Sequence, residues 1–306
     1  MTGPLRIGVD GGGSKTECIL VDANGTVVAQ HVAPGSNPSV VGLEQAKLVV
    51  TDALCALLED ADHDGPGEMI ESTLLCMAGS RSFWREFAAE LADFGRVTAV
   101  DDSLPVLELA TRGKPGLVLH AGTGSFVAAR APDGSLHYAG GLGWRFGDPG
   151  SGYDIGRRAI TRALLELQGW APPSRLGPTL RDYAQLPADA DSAALTRHFY
   201  HHPEPNRLVA GFAPAVLNLA SEADLTAQAL VIESAGELVA LAAGLAVKLF
   251  PAVPLDAVPA GLSGPILTLP IVVQALIPRT PLPLTPVHGT PIEGVRQLMA
   301  RRFVRD

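Results

Sequence analysis

The chain has 306 residues, 47% hydrophobic and 18% charged, which fits a globular protein with room for two domains and excludes a disordered chain. Acidic residues outnumber basic ones 32 to 23, giving a net charge of −9 with no Lys/Arg-rich run, so nucleic acid is not an expected partner. Cys18, Cys55 and Cys76 are odd in number and form no CxxC pair, which fits a reducing cytosol and excludes a zinc knuckle or a disulfide framework.

Leu5–Val9 is a short apolar run that stops at Asp10 and Gly11-Gly12-Gly13, before any signal-peptide core could form; a cytoplasmic location is expected. Apolar residues resume at Cys18–Val21, Asp22-Ala23-Asn24-Gly25 signals a turn, and Val27–Gln30 reads as another strand. A helix is predicted from Gly42 to Glu59, with Leu43, Ala46, Val49, Val50, Ala53, Leu54 and Leu57 on a helical period. Strands at Thr73–Met77 and Arg96–Val100 flank a helix at Phe83–Phe94, and a further helix runs to about Arg112. The second half opens in the same way: strand Gly116–His120, glycine turn, strand Phe126–Arg130, turn, strand Leu136–Tyr138. Two halves with one opening pattern imply a duplicated architecture, with domains 1–113 and 114–306 meeting at the Gly/Pro cluster Gly113–Pro115. Tyr153–Phe250 reads mainly as helices, and its most apolar stretch, Leu238–Phe250, is too short to span a bilayer and contains Lys248; no membrane partner is expected. Between Pro251 and Pro291 only one buried strand is predicted, around Val258–Leu262, where Pro259 makes a poor central strand. A last helix is predicted at Ile292–Phe303.

The chemistry concentrates in glycine turns. Asp10-Gly11-Gly12-Gly13-Ser14-Lys15-Thr16 occupies a hairpin turn, where glycines let backbone approach a phosphate and Ser14, Lys15 and Thr16 add donors. Asp10, at a strand end, is placed to hold magnesium through water. A Walker A loop would need GxxxxGK[ST], and a dinucleotide fingerprint would need the glycines to open a helix; neither condition holds. An ordinary glycine hairpin is the competing reading for this turn alone. Gly122-Thr123-Gly124-Ser125 at the matching place in the second half favours a nucleotide clamped by one turn from each half.

These two turns, together with Gly140-Gly141-Leu142-Gly143-Trp144 and the run Gly147-Asp148-Pro149-Gly150-Ser151-Gly152-Tyr153-Asp154-Ile155-Gly156, resemble the BadF/BadG/BcrA/BcrD-type ATPase family and its N-acetylglucosamine kinase branch. The resemblance runs from Ile7 to about Leu298 and is most specific at Gly140–Gly156. It implies an α/β fold of two ribonuclease H-like lobes, of the actin, sugar kinase and heat-shock chaperone superfamily, around an interlobe cleft. It implies ATP and magnesium as cofactors, a small-molecule sugar as partner, a homodimer, and phosphorylation of an amino sugar at its 6-hydroxyl. Asp10 then organises the metal, while Gly11, Gly12, Gly13, Ser14, Lys15 and Thr16, with Gly122, Thr123, Gly124 and Ser125, form the phosphate turns. Ser263-Gly264 resembles the adenosine turn, although the family has two glycines there. Asn37, Thr123, Gly141 and Asp148 match sugar-pocket positions. Asp102 matches the general base; from spacing alone Asp101 serves as well, and either could cap the helix that follows. Two departures stand out: Asp101 replaces the usual asparagine, and Pro149 the usual glutamate.

Other candidates have plainer readings. His198, His201 and His202 have a metal-like spacing but no acidic or cysteine ligand in the same turn, so a polar helix face is expected. His120 reads as a satisfied core histidine, and Trp144 as a sugar-stacking or a core aromatic. Competing functions are a glucosamine or other sugar kinase, and a family ATPase that activates a partner enzyme, which would need exposed cysteines for an iron–sulfur cluster. A sugar sensor without catalysis is a third reading.

Overall fold

The computed structural model describes residues 4–61 and 70–302. In chain order the elements are β1 (Leu5–Gly11), β2 (Lys15–Val21), β3 (Val27–Pro34), α1 (Pro38–Val41), α2 (Leu43–Asp60), β4 (Ile70–Met77), α3 (Arg81–Glu90), β5 (Arg96–Asp101), α4 (Ser103–Thr111), β6 (Gly116–Ala121), β7 (Ser125–Arg130) and β8 (Leu136–Gly140). There follow α5 (Gly152–Leu167), α6 (Leu176–Tyr183), α7 (Ser192–Tyr200), α8 (Pro205–Gly211), α9 (Ala213–Ser221), α10 (Leu225–Leu249), β9 (Ala260–Ser263), α11 (Gly264–Leu267), α12 (Pro270–Leu276), β10 (Leu284–Pro286) and α13 (Pro291–Arg302). Two compact units result: Met1–Arg112 with His288–Asp306, and Gly113–Val287.

The first unit carries a sheet of order β3-β2-β1-β4-β5. Strands β1 to β3 form an antiparallel meander, and β4 and β5 run parallel to β1. Successive side chains alternate between faces, so both faces must be covered. Leu5, Ile7, Val9, Cys18 and Leu20 bury against α2 and α3 through Ala46, Val50, Leu54, Leu57, Trp84 and Phe87. The opposite face, with Ile19, Val21, Leu74 and Cys76, is covered by Ile292, Val295, Leu298 and Met299 of α13. Gly8 allows that approach, because a Cβ there would lie 2.6 Å from Met299 Sδ and 2.8 Å from Val295 Cγ1. Residues from His288 onward therefore belong with the first unit, which corrects the expectation that 114–306 forms one lobe. The predicted terminal helix is present, and its expected last residue, Phe303, lies outside the described residues.

The second unit repeats the topology, with a sheet of order β10-β9-β6-β7-β8, an antiparallel β6–β7–β8 meander and parallel β9 and β10. Both units thus have the α/β, ribonuclease H-like strand order. Leu117, Leu119, Ala121, Val127 and Ala129 pack with α5 to α10 in one continuous core. Helix α10 has 25 residues, longer than predicted, and by length and composition it could cross a membrane. Its buried stripe of Ala227, Val231, Ser234, Ala235, Leu238, Ala242 and Ala246 instead lies in this core.

The Pro-rich stretch holds more structure than expected: β9, α11, α12 and β10. Pro259 stands one residue before β9, and its carbonyl accepts from Leu117 N at 2.9 Å, so β9 is central after all. Pro265 and Pro270 sit in first helical turns, where a missing N–H is harmless. Pro286 lies on the edge strand β10. The predicted helix Phe83–Phe94 ends earlier, at Glu90, followed by a 3₁₀ turn at Ala92–Phe94.

Candidate functional site

In the first unit the candidates gather at the carboxyl ends of the parallel strands. Gly11, Met77 and Asp101 are register neighbours across β1, β4 and β5, so the turns leaving these strands start level. Gly11 is buried and its missing side chain is needed, since a Cβ would lie 2.2 Å from Met77 Cε. The β1–β2 turn is closed by Gly12 N donating to Lys15 O at 2.9 Å. Its outer side is pinned by the segment after β3: Ser36 N and Asn37 N both donate to Gly12 O, at 3.0 and 3.2 Å. Beneath, Thr16 Oγ1 donates to Ser36 Oγ at 2.8 Å in a fully buried pair. Gly13, Ser14 and Lys15 are exposed. Lys15 Nζ reaches Glu17 at 2.5 Å, and Gln30 Nε2 donates to the same carboxylate at 2.7 Å. Asn37 caps α1 through Ser39 N and stands beside Gly79, whose Cβ position is 3.0 Å from Asn37 Oδ1.

Asp101 and Asp102 have different surroundings. The Asp101 carboxylate accepts from Ser103 N at 3.1 Å and from Ser103 Oγ at 2.5 Å, and Arg81 Nε donates to it at 2.9 Å. It is therefore the residue that caps α4. Asp102 occupies the N-cap position yet makes no capping bond. Burial and the neighbouring Asp101 charge push its carboxyl up to about 7. Asp10 is likewise pushed up to about 7, by burial and then by the charges of Asp102 and Glu17, with Lys15 opposing. The two carboxyls lie near enough to feel each other.

A divalent cation fits this electrostatic setting. It would offset the burial and the neighbouring charges that push the Asp10 carboxyl up, and a carboxylate is the hard oxygen donor magnesium prefers. Among the described residues no group of three His, Cys, Asp or Glu gathers to hold a metal.

In the second unit the Gly122–Ser125 turn is closed by Gly122 N donating to Gly124 O at 2.9 Å. The start of α5 locks onto it: Gly152 N donates to Gly122 O at 2.8 Å and Tyr153 N to Thr123 O at 3.4 Å. Ser125 Oγ donates to Pro149 O at 2.7 Å. Asp148 is buried, accepts from Gly143 N at 3.1 Å, and presents Oδ2 3.0 Å from the Cβ position of Gly124. Burial raises its pKa, opposed by hydrogen bonds from Gly143 and Leu142. It anchors the loop after β8 through Gly143 N and stands against the Gly122–Ser125 turn, a role that the motif did not reveal. Gly141 has φ +64° and lies on the Tyr138 hydroxyl, 2.5 Å from its Cβ position, so no side chain fits. Trp144 is 40% exposed, with Tyr153 5.4 Å away and the Arg145 guanidinium 5.1 Å over its ring. Gly264 turns at φ +89° against β6, where a Cβ would lie 2.3 Å from Ala121 O. Ser263, just before it, is buried with its Oγ 3.2 Å from His120 Nδ1.

Sequence reasoning missed three supporting groups. Ser36 gave no signal beyond following Gly35. Ser234 lies on α10, far along the chain, yet accepts from Gly150 N at 2.9 Å and donates to Asp154 at 2.7 Å. Arg81 opens α3 and holds Asp101. Among the cysteines Cys18 and Cys76 are buried and Cys55 is exposed. His198 and His202 rings stand 6.5 Å apart on the α7 side, in no metal-holding group among the described residues.

Comparison with known proteins adds to this geometry. The profile of the BadF/BadG/BcrA/BcrD ATPase family matches residues 7–253. The N-acetyl-D-glucosamine kinase of Dictyostelium discoideum is 29% identical over 206 residues, covering 62% of this chain and 64% of that protein, slightly under two thirds of its length. The N-acetylmuramic acid/N-acetylglucosamine kinase of Clostridium acetobutylicum is 26% identical over 243 residues, 76% of each chain. A solved structure from Chromobacterium violaceum, provisionally designated an N-acetylglucosamine kinase, superposes with a TM-score of 0.78 at 28% identity, covering 98% of this chain and 100% of its own.

Proposed function

Because the chain belongs to the BadF/BadG/BcrA/BcrD ATPase family, we propose that it is an ATP-dependent sugar kinase that phosphorylates the 6-hydroxyl of an amino sugar, with N-acetylglucosamine as the substrate. The names of both sequence relatives and of the solved structure support the substrate class. The observation that carries the reading is the division of labour at Asp101 and Asp102. Asp101 is spent on Ser103 and Arg81, while its neighbour is a half-buried carboxyl pushed up to about 7 that lies near enough to Asp10 to raise it.

A carboxyl that changes protonation near neutral pH suits a general base, and such a base contributes about 10²–10⁴-fold. In this reading Asp102 accepts the proton of the attacking sugar hydroxyl. Gly12–Thr16 and Gly122–Ser125 present backbone and hydroxyl donors to the phosphates, and Ser263-Gly264 receives the adenosine. Asn37, Thr123, Gly141 and Asp148 serve the sugar. Asp10 would hold magnesium, which when bound with ATP neutralises charge on the transferring phosphoryl group. The remaining acceleration comes from positioning. The reading includes a cytoplasmic location, supported by three widely spaced cysteines with no CxxC pair, and a homodimer, supported by the family resemblance.

The test is ADP release by the purified chain with N-acetylglucosamine, glucosamine, glucose, N-acetylmannosamine and muramic-acid derivatives. Release should be stimulated most by N-acetylglucosamine. Asp102→Asn should cut turnover by about 100-fold or more while ADP still binds, and Asp101→Asn, which keeps the cap, should stay active. Near-normal turnover of the Asp102 variant would refute the assignment.

A further inference from the structure

We propose that His120 is a positioning residue for the nucleotide, its Nδ1 fixing the Ser263 hydroxyl while its ring stands beside the base of the Gly122 turn. The inference rests on reading Ser263-Gly264 and Gly122–Ser125 as nucleotide turns.

The argument starts from register. Gly140, Phe126, His120 and Ser263 are successive cross-strand neighbours on β8, β7, β6 and β9. This row lies at the end of the sheet, one pair short of the Ala121–Ser125 pair that closes β6–β7, and the candidate loops of the second unit leave from it or just beyond it: Gly141 follows Gly140, Gly264 follows Ser263, and the Gly122 turn begins two residues after His120. A side chain in this row sets loops relative to one another. His120 Nδ1 lies 3.2 Å from Ser263 Oγ, and Nε2 lies 3.7 Å from the Cβ position of Gly122.

The ring has little freedom to turn. It stacks on Phe126 with centroids 5.0 Å apart and planes 20° from parallel, and Phe126 stacks on Tyr138 at 5.3 Å. The backbone beneath is equally constrained, since Gly264 presses against Ala121 O. Burial pulls the imidazole down to about 4, so at neutral pH it has one donor and one acceptor nitrogen. Ser263, which makes no capping bond to α11, thus has its hydroxyl direction set by a neutral ring.

The experiment is calorimetric titration of ADP into the wild-type chain, His120→Ala, His120→Asn, His120→Gln, Ser263→Ala and the His120→Ala/Ser263→Ala pair. Loss of one ordered hydrogen bond at the nucleotide should weaken ADP about tenfold in His120→Ala. Asparagine, whose amide nitrogen can take the place of Nδ1, should restore most of the affinity. Glutamine, which reaches the Nε2 position instead, should not. Ser263→Ala should add little in the alanine background. In steady state the KM for ATP should rise more than kcat falls, with the KM for sugar unchanged. Unchanged ADP affinity in His120→Ala, or equal losses for ADP and sugar, would overturn the inference. If alanine prevents folding, the asparagine–glutamine contrast decides it. A wild-type chain that binds ADP but phosphorylates no sugar would sink the kinase reading alone; one that binds no ADP would sink both.

Discussion

Ser234→Ala tests how the core of the second unit supports its site. Ser234 is fully buried on α10; its hydroxyl donates to Asp154 Oδ2 at 2.7 Å and accepts from Gly150 N at 2.9 Å. Alanine leaves the Gly150 N–H unpaired in the core, costing about 1–3 kcal/mol, and removes a hydrogen bond to a charged group worth about 1.5–3 kcal/mol. Part of the second loss is recovered, because Arg157 and Arg158 still donate to Asp154, at 2.8 and 2.7 Å. Gly150 cannot move far to find another partner: it sits at φ +81° with its Cβ position 3.4 Å from Leu238. A net loss of about 2–4 kcal/mol follows. Urea denaturation at pH 7 followed by far-ultraviolet circular dichroism should show a lower midpoint at unchanged m. The pH dependence gives a second check. Burial would raise the Asp154 carboxyl, but hydrogen bonds from Ser234, Arg157 and Arg158 outweigh it and hold the pKa below the ordinary value. Stability from a depressed carboxyl is present above the unfolded pKa, about 3.9, and fades as pH falls through the folded one. The gap between wild type and variant should therefore narrow as pH falls below about 4, leaving the part due to the Gly150 N–H. A variant within about 0.5 kcal/mol of wild type at pH 7, or two curves that stay parallel in acid, would refute the reasoning.

Two further outcomes are expected. His120, held near 4 against an ordinary 6.5, stays neutral in the fold while the unfolded chain takes up a proton, so stability should fall as pH drops from 6.5 towards 4. The shift corresponds to about 3 kcal/mol at 1.36 kcal/mol per unit, and His120→Asn should remove that part of the slope in denaturation profiles. Gly35→Ala places a Cβ 2.2 Å from Gly13 O and 2.9 Å from Ser14 N, both backbone atoms, so the β1–β2 turn, proposed to receive phosphate, must shift. Misplacement by about 1 Å costs on the order of 100-fold, and kcat/KM for ATP should drop accordingly; an unaffected enzyme would show that this turn does not touch phosphate.

The sequence made local features legible and long-range ones less so. The meanders were readable because glycine turns punctuate short apolar runs, as at Asp10–Thr16 and Gly122–Ser125. Gly11, Gly141 and Gly264 announce close approaches that a Cβ would block. The return of α13 to the first sheet was not readable, since nothing within Ile292–Met299 says which apolar face it will cover. The prolines between Pro251 and Pro291 misled because proline is hostile inside an element and harmless at its start, and composition does not distinguish the two. The choice between Asp101 and Asp102 was open from spacing; the capping geometry of Ser103 and the reach of Arg81 differentiate them. The Ser234 contact spans 84 residues to Gly150 and left no local trace.

The position of α13 bears on biosynthesis. Residues 113–287 form one uninterrupted stretch that can complete its packing as soon as it clears the ribosome. The amino-terminal sheet, made first, must wait with Ile19, Val21, Leu74 and Cys76 uncovered until Ile292, Val295 and Met299 arrive. A nascent chain stalled before Ile292 would carry a finished second half and an unfinished first half, with a greasy sheet face open to chaperones.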